Sequence, residues 1–406
     1  MALTRHFGSL SKGGLIAGVL ITAVCGFGPT GLLPSLSLAT AQTALAWLAT
    51  PATGVPAARQ VHGAVWTGKE MVVFGGANLF GLASEGGGLY DPASDRWRAL
   101  PRSGVPSARF GHTQLWTGIE MIVWGGTNGF ADFKSGGRFD PAIDKWSPIS
   151  TVGAPVERHA HVGIWTDLEL IVWGGVSGLF FTTTGGRYNP KTDSWQVIAT
   201  DNAPPVRANA TAVWTGQEMI VWGGGSDTGS GAVNSGGRYS PSRNTWERTT
   251  LVQAPSGRIG HTAIWTGHEM IIWGGLDDRL RHVNTGARYN PATGAWTSTS
   301  LERAPAPRVY HTAVWTGEEI IVWGGGNQLG YLSSGGRYNP RSDSWTPIET
   351  TSAPQGRRFH SAIWTGQEMI VWGGLGENTL IPILDFIVLT TLSTGGRYNP
   401  VLDTTR

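Results

Sequence analysis

Seven arginines and six histidines recur at nearly constant intervals, and these residues have the most chemistry to offer. The arginines are Arg59, Arg109, Arg158, Arg207, Arg258, Arg308 and Arg357. Three residues after each comes His62, His112, His161, His261, His311 or His360, with Ala210 breaking the series. Guanidinium groups are fork-shaped donors that match carboxylates, so the arginines read as a basic funnel for an acidic ligand. The imidazoles read as a metal ring, although neither series has a recognised metal-ligand spacing such as HExxH. A structural reading stands beside both, because a residue repeated in every unit does the same work in every unit and buried polar groups take structural partners. On that reading the arginines bond strand ends or pair with the repeated glutamates, Glu70 through Glu368.

The position just before each histidine breaks the symmetry: Val61, Gly111, Ala160, Asn209, Gly260, Tyr310 and Phe359. Tyr310 and Phe359, in adjacent units, are placed to stack on a ring-shaped ligand, with Asn209 on the far side. No paired-carboxylate or nucleophile motif stands out, so no catalytic residue, metal ligand or cofactor is assigned.

These positions belong to a repeat. The tryptophan that opens each WTG-like turn falls at 66, 116, 165, 214, 265, 315 and 364, a period of about fifty residues. We number the units 1 to 7 from these tryptophans. Each reads as four short strands. The first, as in His311-Thr-Ala-Val-Trp315, ends at Thr-Gly; unit 3 has Asp167 there, a residue that also tolerates positive φ. The second, Glu319-Ile-Ile-Val-Trp323, is apolar without alternation, as suits a strand covered on both faces. Gly324-Gly325 ends it, a variable loop follows, and GGRYNP forms strand three. Asn339-Pro340 and Asp343 make a turn into strand four, which carries Trp345.

The diglycine, the tyrosine and the downstream tryptophan, as in Gly324-Gly325, Tyr338 and Trp345, resemble the kelch repeat over about residues 45 to 403. That resemblance implies an all-β protein, a seven-bladed β-propeller of four-stranded blades. Unit 7 stops at Arg406 with a threonine where its strand-four tryptophan is due. Trp47 precedes Arg59 by the same twelve residues that separate Trp97 from Arg109, so the N-terminus is expected to supply the missing strand and close the ring. All 20 tryptophans then take repeat positions, Phe74 standing in for one on strand two, and they are expected to be core.

Links from strand four to strand one and from strand two to strand three share one face of such a meander. Between the paired glycines the two-to-three loops number 10, 9, 9, 11, 10, 9 and 20 residues, so variation concentrates there. Loops on a rigid scaffold are where binding residues sit, which makes this the candidate functional face. In unit 5 its loop carries Asp277, Asp278, Arg279, Arg281 and His282, read as a solvated charge cluster. In unit 7 residues 375–394 hold an apolar run, and Leu380, Ile381, Ile383, Leu384, Phe386 and Ile387 are partner-binding candidates.

Composition narrows the classes. The formal net charge is +2, and without Arg5 and Lys12 the chain has 28 basic residues against 28 acidic ones. No field of this size suits nucleic acid or an anionic membrane. Residues 1–41 read as a targeting segment: two basic residues, the run GGLIAGVLITAVCGFG, then Ala39-Thr40-Ala41, which fits cleavage before Gln42. Pro29 and Pro34 in the long stretch before that site leave a retained membrane anchor as the alternative. The only cysteine, Cys25, lies in this segment, so residues 42–406, the propeller, have no thiol chemistry.

Exported kelch-like propellers suggest three roles: a monomeric, non-catalytic scaffold for a protein or glycan, a carbohydrate enzyme, or an envelope component docking through the 375–394 loop. The resemblance to galactose oxidase fails, since its copper site needs a tyrosine crosslinked to cysteine. A sialic-acid mutarotase-like activity would use arginine, histidine or glutamate on the variable face. An exported product would be periplasmic, cell-surface or secreted.

Overall fold

The strand after each WTG turn explains why the repeat folds. Met71–Phe74, Met121–Trp124, Leu170–Trp173, Met219–Trp222, Met270–Trp273, Ile320–Trp323 and Met369–Trp372 are buried at every position. Each has a strand on both sides in its own sheet and a neighbouring sheet above and below, so both faces must be apolar. Strand four, as in Arg96–Ala99, turns only its tryptophan inward and leaves the rest exposed.

The computed structural model describes residues 45–226, 231–377 and 389–405. The targeting segment 1–41 with Cys25, and the candidates Leu380, Ile381, Ile383, Leu384, Phe386 and Ile387, lie outside the described residues. Among the described residues there is no helix. Seven four-stranded antiparallel sheets carry the fold. In unit 6 the strands are Thr312–Trp315, Ile320–Trp323, Gly335–Asn339 and Ser344–Pro347, hydrogen-bonded in chain order. In unit 7 they are Ser361–Trp364, Met369–Trp372, Gly395–Tyr398 and, outermost, Trp47–Ala49 from the other end of the chain. The register there is Trp47↔Tyr398, Leu48↔Arg397 and Ala49↔Gly396.

The innermost strands touch in sequence, and Ser361–Trp364 of unit 7 lies against Gly63–Trp66 of unit 1, so the sheets follow one another in a closed β-propeller ring. Aromatic contacts run round the same circuit. The strand-four tryptophan of each unit packs on the strand-two aromatic of the preceding one: Trp195 on Trp124 at 5.1 Å, Trp146 on Phe74 at 5.3 Å, and, across the closure, Trp97 on Trp372 at 5.3 Å. Offset and tilted ring pairs at such separations add to area burial. Strand-two and strand-four tryptophans are the core. The strand-one tryptophans correct the expectation, because Trp66, Trp116 and their counterparts are only half-buried, sitting at the strand end beside the turn.

On the face of the WTG and NP turns, the arginines of strand three, as in the GGRYNP motif, meet the glutamates. Arg397 Nε lies 2.8 Å from Glu368 and Arg288 Nη2 2.8 Å from Glu269. Unit 1 has the buried Leu89 at the arginine position, and Arg98 on the adjacent strand takes over Glu70 at 3.0 Å. Several of these arginines also donate to the next unit's NP carbonyl, and Arg397 donates to Pro92 O at 3.0 Å, bridging unit 7 to unit 1.

Candidate functional site

The variable face is built on the first arginine series, which the structure does not place in an open funnel. All seven side chains are 0–2% exposed. Each is spent on its own unit: Arg308 donates from Nε to Ala306 O at 2.9 Å and from Nη1 to Gly324 O and Ser334 O at 2.9 and 2.6 Å. Its Nη2 reaches Ser334 Oγ at 3.3 Å. Arg59, Arg109, Arg158, Arg207, Arg258 and Arg357 repeat the pattern, from Nε to the carbonyl two residues back and from Nη1 to the carbonyls that end strand two and precede strand three. Burial pulls each guanidinium down to about 10, which leaves it charged at neutral pH. These seven ligand-binding candidates therefore lie inside the fold, with loop carbonyls as their partners. A donor fork held by three loop carbonyls ties strand ends together, and its burial keeps it away from the open face.

The histidines are struts of another kind. Nε2 of His161 is hydrogen-bonded to Thr113 Oγ1 at 2.8 Å, that of His261 to Thr211 at 2.9 Å, that of His311 to Thr262 at 3.0 Å and that of His360 to Thr312 at 2.8 Å. His62 closes the circuit on Ser361 Oγ at 2.8 Å. Each ring also meets edge-on the strand-two aromatic of the preceding unit, as His261 meets Trp222 at 5.3 Å. Burial first, and the nearby arginine second, hold His62 and His261 down to about 3 and His112 to about 4. His161, His311 and His360 are driven well below the usual value for the same reasons.

A sequence signal for this pairing exists. The residue after the histidine position supplies the hydroxyl partner for the next unit's histidine, and unit 3 has Val162 there where unit 4 has Ala210 at the histidine position, so both partners are lost together and join one apolar cluster. Unit 1 has Gly63, and Gln114 fills that space to reach His112 at 3.5 Å. Among the described residues no group of three or more His, Cys, Asp or Glu is placed to hold a metal ion.

Between arginine and histidine, all seven symmetry-breaking residues adopt left-handed backbone, from Val61 at φ 54° to Phe359 at φ 56°. Their backbones link around the axis: Tyr310 N donates to Gly260 O at 2.9 Å, Phe359 N to Tyr310 O at 3.3 Å and Val61 N to Phe359 O at 3.0 Å. The diglycines fit beneath. A Cβ on Gly324 would lie 2.5 Å from His360 Cε1, and Gly325 has φ 87°. Within this collar opens a cavity of about 320 Å³ with Val61, Gly111, Gly260, Tyr310 and Phe359 on its wall above the histidines. Tyr310 and Phe359 lie side by side on this wall. Their own rings stack with centroids 4.2 Å apart. Asn209 shares the collar but belongs to unit 4, which contributes nothing to the cavity wall.

Around the collar stand the two-to-three loops, and their tips are apolar. Phe80, Phe130, Leu179 and Leu329 each lie four residues past a diglycine and are 83–94% exposed, with Phe180 and Leu280 beside them at 78 and 73%. The unit 5 cluster is self-contained: Asp277 is buried and accepts from the N–H groups of Arg279 and Arg281 and from the Arg281 guanidinium at 2.7–2.9 Å. Between units 2 and 3 lies a cleft of about 820 Å³ that the repeat pattern gave no sign of. There His159 Nδ1 meets Asp132 Oδ1 at 2.7 Å, and Gly178 N donates to Asp132 Oδ2 at 2.8 Å. The base of the long unit 7 loop is anchored on the same face, where Leu375–Glu377 pairs with both Arg357–Arg358 and Leu389–Thr391.

The chain matches the family model of the KLHDC2/KLHL20/DRC7 Kelch-repeats domain over residues 35–210 and again over 209–394. No curated protein matches it.

Proposed function

The chain belongs to the kelch-repeat family, and from that premise we propose that it is a non-catalytic scaffold that binds a protein partner through its variable loop face. One observation carries this reading: the two-to-three loop tips of five units present Phe or Leu side chains almost fully to solvent on a single face. Isolated exposed apolar residues are ordinary, whereas a set gathered on one rim marks an interaction surface. Phe is also among the residues that interface cores favour. Leu375–Glu377 and Leu389–Thr391 pair on this same face, and the sequence between them contains the apolar run at 380–387. Residues 1–41 support presentation of the scaffold beyond a membrane, through export or a retained anchor. The glycan reading loses its basic funnel to the buried arginines.

Photo-crosslinking residues placed at Phe130 and Leu329, in cells that make the protein, test the assignment. Ile119 and Val401, exposed beside the WTG and NP turns, serve as controls. Discrete protein adducts from the loop tips and none from the controls are expected. Equal adducts from both faces, or none from the tips, would overturn it.

A further inference from the structure

Arg357 and Arg358 are neighbours in the chain and opposites in the fold. Arg357 spends its guanidinium on Gln355 O, Gly373 O and Thr394 O. Arg358, the next residue of the same short strand, points to the other side, as consecutive strand residues must. Among the described residues its side chain makes no hydrogen bond and no ion pair, and its Nε is buried without a partner. The side chain is nonetheless held in place. Its guanidinium carbon lies 5.2 Å from the Tyr331 ring centroid and 5.1 Å from that of Phe359, and Phe359 in turn stacks on Tyr310. His282 lies within electrostatic reach, with its own Nδ1 buried and unpaired. The six equivalent positions, Gln60 through Val309, carry no permanent charge. This is a feature of one sector and not of the repeat.

A guanidinium held against aromatic rings has part of its rotamer entropy already lost and keeps its planar donor edge for a ligand. Nothing in the described fold uses that edge. We infer that Arg358, with Tyr331, Phe359, Tyr310 and His282, forms a binding site for a small anionic ligand. A carboxylate or phosphate is held at the guanidinium edge, and a ring attached to it lies on the Tyr310–Phe359 pair at the cavity mouth. The oxyanion accepts from the guanidinium Nη groups, and the aromatic pair sets a preference for ring-bearing anions over inorganic ones. The site does not depend on the protein-partner reading, since it needs only the isolated chain.

Calorimetric titration of the purified protein with inorganic phosphate, phenyl phosphate and benzoate tests this. Phenyl phosphate and benzoate separate the two anion chemistries, and inorganic phosphate isolates the contribution of the ring. Binding of at least one aromatic anion is expected, tighter than inorganic phosphate by tenfold or more. R358Q should weaken it at least tenfold, R358K should recover only part of it, and Y310A should weaken the aromatic anion while leaving inorganic phosphate unchanged. Unaltered thermal unfolding of R358Q establishes that the fold is intact. Equal binding by R358Q and the wild type, or no binding of any probe at millimolar concentration, would overturn the assignment.

Discussion

The buried histidines make the ring sensitive to acid, and the unit 4–5 junction offers a controlled measurement of one of them. His261 is 5% exposed, hydrogen-bonded to Thr211 and held down to about 3 chiefly by burial. Its folded value lies below the unfolded one of about 6.5. As the pH falls, the unfolded chain therefore takes up the proton first. The contribution to stability is whole above about pH 6.5 and is lost progressively as the pH falls towards 3. Between pH 7 and pH 5 the imbalance costs about 2 kcal/mol for this one residue. The chain itself supplies the apolar replacement, because Val162 and Ala210 occupy the equivalent places between units 3 and 4. The double variant H261A/T211V copies that junction. Urea unfolding of both proteins at pH 7, 6 and 5 is the assay. The variant should be less stable at pH 7, since it loses the edge-on contact with Trp222, and its deficit should shrink by about 2 kcal/mol at pH 5. A deficit that stays constant within about 0.5 kcal/mol, or grows, would refute the account of a neutral, desolvated imidazole. His62, held equally low, and His112, slightly higher, add losses of the same sign, so the whole ring should lose stability steeply over this range.

Two further outcomes follow from burial and backbone geometry. R308M strands the carbonyls of Ala306, Gly324 and Ser334 and should cost about 3–5 kcal/mol in urea unfolding, while R358Q should change stability by less than about 0.5 kcal/mol; comparable losses in the two would contradict the division between strut and free arginine. Val61 holds φ 54° while partly exposed, so V61G should stabilise by about 0.5–1 kcal/mol, the left-handed penalty less the added chain entropy, and destabilisation would show that its side chain packs.

What could be read from the sequence divides along the repeat. The apolar run before each diglycine announced a strand covered on both sides, and Trp47 announced the strand that completes unit 7. Both are repeat-level signals tied to backbone pairing. Repetition was also the right clue for Arg308 and its counterparts, but it does not reveal which acceptors a side chain finds. Their partners are loop carbonyls whose positions depend on the fold. Arg358 was passed over because periodicity pointed to its neighbour, and only strand alternation separates a buried side chain from a free one. The histidine–threonine pairs were legible through the joint loss at Val162 and Ala210, which requires comparing adjacent units and not equivalent positions. Asp132 and His159 come from loops of different units, and no spacing along the chain brings them together. The strand-one tryptophans repeat as faithfully as the others yet lie half-exposed, since a period records a shared place and not its depth.

The strand Trp47–Ala49 also governs timing. It is among the first parts of the ring to be synthesised and pairs with Gly395–Tyr398, among the last. Until those residues appear, Trp47 has no Tyr398 beside it and no strand to pair with, and the final unit cannot take its full complement of strands. Domains with such distant pairings fold slowly, because chain closure comes before the contacts that reward it. A prematurely terminated chain would keep an open sheet edge and an unburied indole, the features that invite aggregation or degradation. Pairing of Trp47–Ala49 with Gly395–Tyr398 is thus a check that all seven units are present, made only after the last of them has been synthesised.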